Sequence, residues 1–172
     1  MSDINMNNDV ILHKLDEAVY WSAISEQELY DIPDGLILAI IMTESTGEEC
    51  AIRYEPDFRW LDEDALDHPP VRSTKPTERE GQSTSWGPMQ VMGATARWMG
   101  FDGWFPELCG PSGVEYGVKY LLRQRNRYHN WPEAVAAYNA GSLRFKGDGR
   151  IFQNQQYVDK VYKALKDKSW LK

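Results

Sequence analysis

Glu44 closes an apolar helical stripe. Ile37, Ile41 and Glu44 stand at i, i+4 and i+7, so they share one face of a helix. A carboxylate that continues such a stripe is paired, solvated at the stripe's end, or partly buried. Partial burial disfavours the charged form and raises the pKa. A carboxylic acid still protonated near neutral pH is what general-acid chemistry needs. The local pattern leaves the plainer alternative open, that Glu44 is the exposed last turn of a helix. Three other short stretches bear on the choice: Gly87-Pro88-Met89-Gln90, Ala137-Tyr138-Asn139-Ala140-Gly141 and Tyr157-Val158. Singly they read as a Gly-Pro turn, an alanine-rich helix end with a glycine stop, and a tyrosine on a core face. Their order and spacing after Glu44-Ser45 carry more information than any one of them.

The elements that must position these residues are mostly helical. Val10, Leu12, Leu15 and Val19 give helical spacing over Asp9 to Ser25, with Asp9 in the capping position. Pro33 opens the helix that leads to Glu44, and Gly47 stands where it stops. A short helix is expected over Asp57 to Leu66. Asp67 to Thr84 holds Pro69, Pro70, Pro76 and Gly81, shows no periodicity, and reads as a long loop. Any small sheet belongs on either side of it. Helices follow at Ala94 to Met99, at Pro111 to Tyr128, and from Pro132 to the stop at Gly141. A second loop, Ser142 to Phe152, carries Arg144, Lys146 and Arg150, which make a local basic edge. Asn154 leads a final helix with Tyr157, Val158, Val161 and Leu165. The expectation is a mainly α, α+β chain: one compact domain over residues 1–172, with about eight helices and at most a small sheet.

Composition narrows the function. The chain has 172 residues, 42% hydrophobic and 26% charged, which is globular composition. A net charge of -7 argues against nucleic-acid binding through phosphates. No apolar run approaches the ~20 residues that span a membrane. The polar, acidic start lacks the features of a secretory signal, so the protein is expected to accumulate in the cytoplasm. Cys50 and Cys109 form neither a disulfide framework nor a metal pair and are expected as reduced thiols. His13, His68 and His129 are too scattered for a zinc motif. No metal or cofactor is expected.

Taken together, Glu44-Ser45, Ser85-Trp86-Gly87-Pro88-Met89-Gln90, Ala136-Ala137-Tyr138-Asn139-Ala140-Gly141 and Tyr157-Val158 resemble the ordered motifs of the soluble lytic transglycosylases. These are relatives of the goose-type lysozymes and share the lysozyme-like fold. The resemblance spans roughly residues 33 to 165. Two departures stand out: Pro88 replaces the usual leucine after the motif glycine, and the interval from Glu44 to Gly87 is long.

The resemblance implies a muramidase acting on the glycan strands of peptidoglycan. Glu44 would protonate the glycosidic oxygen between MurNAc and GlcNAc. The same carboxylate would then act as base on the C6 hydroxyl, giving a 1,6-anhydro product with one carboxyl group where most glycosidases use two. Gln90 and Asn139 would hydrogen-bond sugar substituents and Met89 would pack against a sugar face. Tyr138 would donate toward Glu44, and Ser45 would support the substrate or the helix end. Trp86, beside the motif glycine, is the first choice for a stacking aromatic. An acid holding a water ~6.5–9.5 Å from Glu44 would instead give inverting hydrolysis, as in a goose-type lysozyme. Glu55 is the first such acid to check. A third reading is a glycan-binding part of a phage tail or secretion apparatus that does not cut. The expected setting is a monomeric phage endolysin, made in the host cytoplasm and released to the wall at lysis.

Overall fold

The computed structural model describes residues 32–147 and 149–169. The helix expected over Asp9 to Ser25 lies outside the described residues. Helix α1 (Leu36–Glu44) leads to strand β1 (Ile52–Tyr54), α2 (Glu63–Asp67), α3 (Lys75–Gln82), β2 (Thr84–Trp86) and β3 (Val91–Met92). Next come α4 (Gly93–Trp98), a 3-10 turn (Phe105–Leu108), α5 (Pro111–Tyr128) and α6 (Trp131–Ala140). The chain closes with β4 (Phe145–Lys146), β5 (Ile151–Phe152) and α7 (Gln155–Asp167). Seven α-helices and two small antiparallel sheets among the described residues agree with the mainly helical expectation.

The chain divides into two compact units, and the divisions fall inside helices, at Thr43–Glu44 in α1 and Gly117–Val118 in α5. The first unit holds residues 44–117. Its sheet runs β1-β2-β3, with Ile52 opposite Trp86 and Trp86 opposite Val91. Val91, Ala96, Phe101, Phe105 and Leu108 form its buried core, with Trp86 and Tyr116 packed against them. In the second unit α6 packs on α7, and Val118, Leu121, Ala134, Val135, Ala137, Val158 and Val161 are buried. Asn130 caps α6 by accepting from the Glu133 amide at 2.9 Å, and left-handed Gly141 ends it, as the sequence suggests.

The long loop expected over Asp67 to Thr84 is a correction. It contains α3, capped by Thr74 and with proline in its first turn. Its inward face is polar, which is why no hydrophobic period marks it. Glu78 and Gln82, one turn apart, are 1% and 0% exposed. Arg97 Nε meets Glu78 Oε1 at 2.8 Å and Nη2 meets Oε2 at 3.1 Å. Arg97 Nη1 donates to the carbonyls of Phe101 and Gly103, and the guanidinium lies 4.2 Å from the Phe105 ring centroid. Gln82 donates to Glu78 and to the Asp62 carbonyl, and accepts from the Asp62 amide. A buried charge pair survives when its remaining donors and acceptors are satisfied in this way.

Three further expectations change. The helix expected from Asp57 starts only at Glu63. The Phe58 amide bonds back to the Glu55 carbonyl in a turn, and Asp62 caps the helix through the Ala65 amide. The loop over Ser142 to Phe152 contains the β4–β5 hairpin, with Phe145 paired to Phe152 and their rings 5.4 Å apart. Two-residue strands are too short to show alternation. The third change concerns the cysteines. Cys50 and Cys109 are joined in a disulfide, Cα atoms 4.5 Å apart, across 59 residues of sequence. Only the tertiary fold brings them together.

Candidate active site

Glu44 is the last residue of α1 and is half-buried. Its stripe behaves as the spacing requires: Ile41 is 2% exposed, Ile37 is half-covered, and the carboxylate is where the stripe meets solvent. The helix stops because Thr46 and Gly47 take positive φ of 56° and 86° in succession. Ser45 is buried beside the acid. Its carbonyl accepts from the Thr46 hydroxyl at 2.6 Å and from the Glu48 amide at 3.1 Å. A few residues on, the Glu49 carbonyl accepts from the Gly110 amide at 3.0 Å, next to the Cys50–Cys109 bridge. The segment that follows the acid is thus tied down at one place covalently and by the backbone.

The Gly87–Gln90 turn is built just as tightly. The Ala51 carbonyl, one residue before β1, accepts from the Gly87 amide at 2.8 Å and from Gln90 Nε2 at 2.8 Å. Gln90 Nε2 also donates to the Gly87 carbonyl at 3.0 Å. Gln90 itself holds a left-handed φ of 49°, and these side-chain bonds are what stabilise it there. Gly87 has φ 71°, and a Cβ on it would lie 2.0 Å from the Leu108 carbonyl oxygen. A Cβ on Gly113, in the first turn of α5, would meet that same oxygen at 2.0 Å. Both positions need glycine for close backbone approach.

The remaining sugar-binding candidates sit in varied surroundings. Met89 is fully buried, its side chain against Gly117. Trp86 is half-buried, donates from Nε1 to the Gly81 carbonyl at 2.9 Å, and stacks on Phe105 with ring centroids 5.9 Å apart. Both therefore brace the turn from within. The Glu55 carboxylate is engaged by Arg53 Nε at 2.5 Å on the sheet edge. In the second unit, Tyr138 is 7% exposed with its ring 5.5 Å from that of Tyr120, whose hydroxyl burial pushes above the usual tyrosine range. Asn139 is exposed, and its Oδ1 accepts from Asn154 Nδ2 at 2.9 Å.

Sequence reasoning named Asn154 only as a helix leader. Its amide nitrogen also donates to the Ala136 carbonyl at 2.9 Å, so it fixes the Asn139 side chain to the body of α6. An asparagine just before a helix is a cue to capping, and here its side chain does something else. The second unit also has a cavity of about 350 Å³ lined by Met42, Thr43, Lys160, Lys163, Ala164, Asp167 and Ser169. No motif residue lines it. Among the described residues no group of His, Cys, Asp or Glu is placed to hold a metal ion, and no helix is long and apolar enough to cross a membrane.

A family model for the transglycosylase SLT domain matches residues 22–160. The chain belongs to this family. No curated protein and no solved structure matches it. SLT domains are lytic transglycosylases, enzymes that act on the glycan strands of peptidoglycan. In this SLT domain Glu44, Ser45, Glu55, Trp86, Met89 and Gln90 belong to the first unit and Tyr138 and Asn139 to the second.

Proposed function

We propose that this SLT domain cuts the β-1,4 bond between MurNAc and GlcNAc with Glu44 as its one proton-transfer group. The observation that carries the reading is the half-buried carboxylate ending the apolar stripe of α1, with Ser45 buried beside it. Glu44 gives its proton to the glycosidic oxygen as the bond to C1 of MurNAc breaks. The C6 hydroxyl then adds to C1 and returns its proton to Glu44. The product is a 1,6-anhydro-MurNAc end, and the acid is regenerated. Gln90, Asn139 and Tyr138 contribute hydrogen bonds to substrate and acid. Ser45 supports the helix end.

Hydrolysis through a second carboxylate is the competing outcome. Arg53 Nε engages Oε1 of Glu55, the first acid to test in that role. Digests of purified walls test the choice. Muropeptides resistant to borohydride reduction are expected from the wild type and none from Glu44→Gln. Fully reducible muropeptides would move the reading to hydrolysis. Glycan binding without any cleavage would move it to a non-lytic component.

The proposed setting is phage-mediated cell lysis, with the protein accumulating in the cytoplasm and acting at the wall. The Cys50–Cys109 bridge fits a working life on the oxidising side of the membrane. Induced cells should stay intact until the membrane is permeabilised. Lysis by the protein alone would contradict this setting.

A further inference from the structure

The Cys50–Cys109 bridge joins the two backbone segments that grip the motif turn. Next to Cys50, the Ala51 carbonyl accepts from the Gly87 amide at 2.8 Å and from Gln90 Nε2 at 2.8 Å. Next to Cys109, the carbonyl oxygen of fully buried Leu108 lies 2.0 Å from where a Cβ on Gly87 would stand. Gly87 is thus held from two directions, through its N–H by Ala51 and against its Cα by Leu108. On the other side of each cysteine, the Glu49 carbonyl accepts from the Gly110 amide at 3.0 Å. The disulfide fixes the spacing of the two segments, with its Cα atoms 4.5 Å apart. Cys50 also ends the short segment that leaves Glu44, so acid and turn share this anchor.

The anchor can be opened. Cys50 is exposed and Cys109 half-buried, so a dissolved thiolate reaches the bridge in the folded protein. Exposed disulfides are the ones that exchange and serve regulation. A thiolate of the glutathione class attacks the Cys50 sulfur, and Cys109 leaves as a thiolate and takes up a proton. A second such thiolate attacks the glutathione sulfur of the mixed disulfide. Cys50 is released and protonated, and the two small thiols end as one disulfide. Two electrons and two protons pass to the protein, and a small disulfide reverses the exchange. The core of Val91, Ala96, Phe101, Phe105 and Leu108 includes neither cysteine, so the first unit keeps its fold when the bond opens. What loosens is the spacing of Ala51 and Leu108 around Gly87. A shift of about 1 Å in a group that positions substrate costs up to about 100-fold in rate.

We propose that this bridge is the redox switch of the cutting site. Closed, it sets the Gly87–Gln90 turn for catalysis; open, it leaves a folded domain that cuts slowly. The cysteines are positioning residues that act through Ala51 and Leu108. The proposal rests on the reading that this domain cuts glycan, and it adds control of that site by thiols.

The test follows wall digestion in a series of reduced and oxidised glutathione mixtures, well below the melting transitions of both forms. Free thiols are titrated alongside, and hydrogen exchange is followed in the peptide that spans residues 87–92. As the bridge opens, kcat should fall about tenfold with KM changing less, and the 87–92 amides should exchange faster. Reoxidation should restore both. Cys50→Ser combined with Cys109→Ser should stay at the slow rate in every mixture. Equal rates for the closed and opened wild type, with thiol titration showing the bond broken, overturn the switch and leave the function standing. So does loss of the native circular dichroism on reduction, which would make the bridge a staple of the fold. Failure of the closed wild type to digest walls overturns both.

Discussion

Arg97 and Glu78 form a two-pronged ion pair whose side chains are each only 1% exposed. The pair joins α3 to α4 beside the Phe101 and Phe105 rings. Removing one partner strands a charge where water cannot reach it, which costs about 3–5 kcal/mol. Arg97→Met should therefore lower Tm by about 10 °C. Exchanging both residues for methionine should recover much of that loss, since two apolar side chains leave no orphaned charge. Calorimetric melting of the two single variants and the double variant checks this. A double variant no better than the worse single one would mean that shape, rather than charge, sets the cost.

Gly87→Ala tests the motif turn. The added methyl meets the Leu108 carbonyl oxygen at 2.0 Å on a residue with φ 71°. The left-handed conformation alone costs about 1–2 kcal/mol for a residue with a Cβ, and the clash adds to it. Thermal stability should drop by about 5 °C or more. Because the turn must move, wall digestion should fall further than the loss of folded protein explains. Activity per folded molecule at the wild-type level would show that the turn does not serve catalysis.

Asn154→Ala probes positioning in the second unit. The change removes two hydrogen bonds, to Ala136 and Asn139, each worth about 0.5–1.5 kcal/mol. It also frees the Asn139 side chain. If Asn139 binds sugar, KM should rise severalfold with kcat changing less. Equal loss in both, tracking the folded fraction, would assign Asn154 to stability alone.

Reducing the Cys50–Cys109 bridge should destabilise the native state. Closing a loop of 59 residues removes chain entropy from the unfolded state worth about 4 kcal/mol. Cys50→Ser combined with Cys109→Ser should melt about 10 °C lower. A reductant should lower the wild-type Tm by a similar amount and leave the double variant unchanged. Equal melting of wild type and variant without reductant would show that the bridge adds nothing.

How far the sequence could be read depended on what each element buries. α1, α5 and α7 bury aliphatic side chains at helical spacing, and their residues announce them. α3 was invisible because its inward face is Glu78 and Gln82, which no hydrophobic period can register. The disulfide was illegible for a different reason: two cysteines 59 residues apart carry no signal until β1 and the 3-10 turn are folded together. At the candidate site, the helix-end position of Glu44 was legible from Ile37 and Ile41. The surroundings of Met89 and Trp86 were not, because an apolar residue beside a motif reads alike whether it faces a ligand or the core.

The span between Cys50 and Cys109 encloses the whole three-stranded sheet with α2, α3 and α4. Within it, residues 68–74 are largely exposed and lie between α2 and α3. A protease cutting there would not release a piece. The fragment bearing Glu44 keeps Cys50, the fragment bearing Gly87 keeps Cys109, and one sulfur–sulfur bond holds them in a single molecule. A nicked enzyme of this kind stays whole on a non-reducing gel and separates only when thiol is added. Wherever reductants are scarce, one cut leaves acid and motif turn still joined.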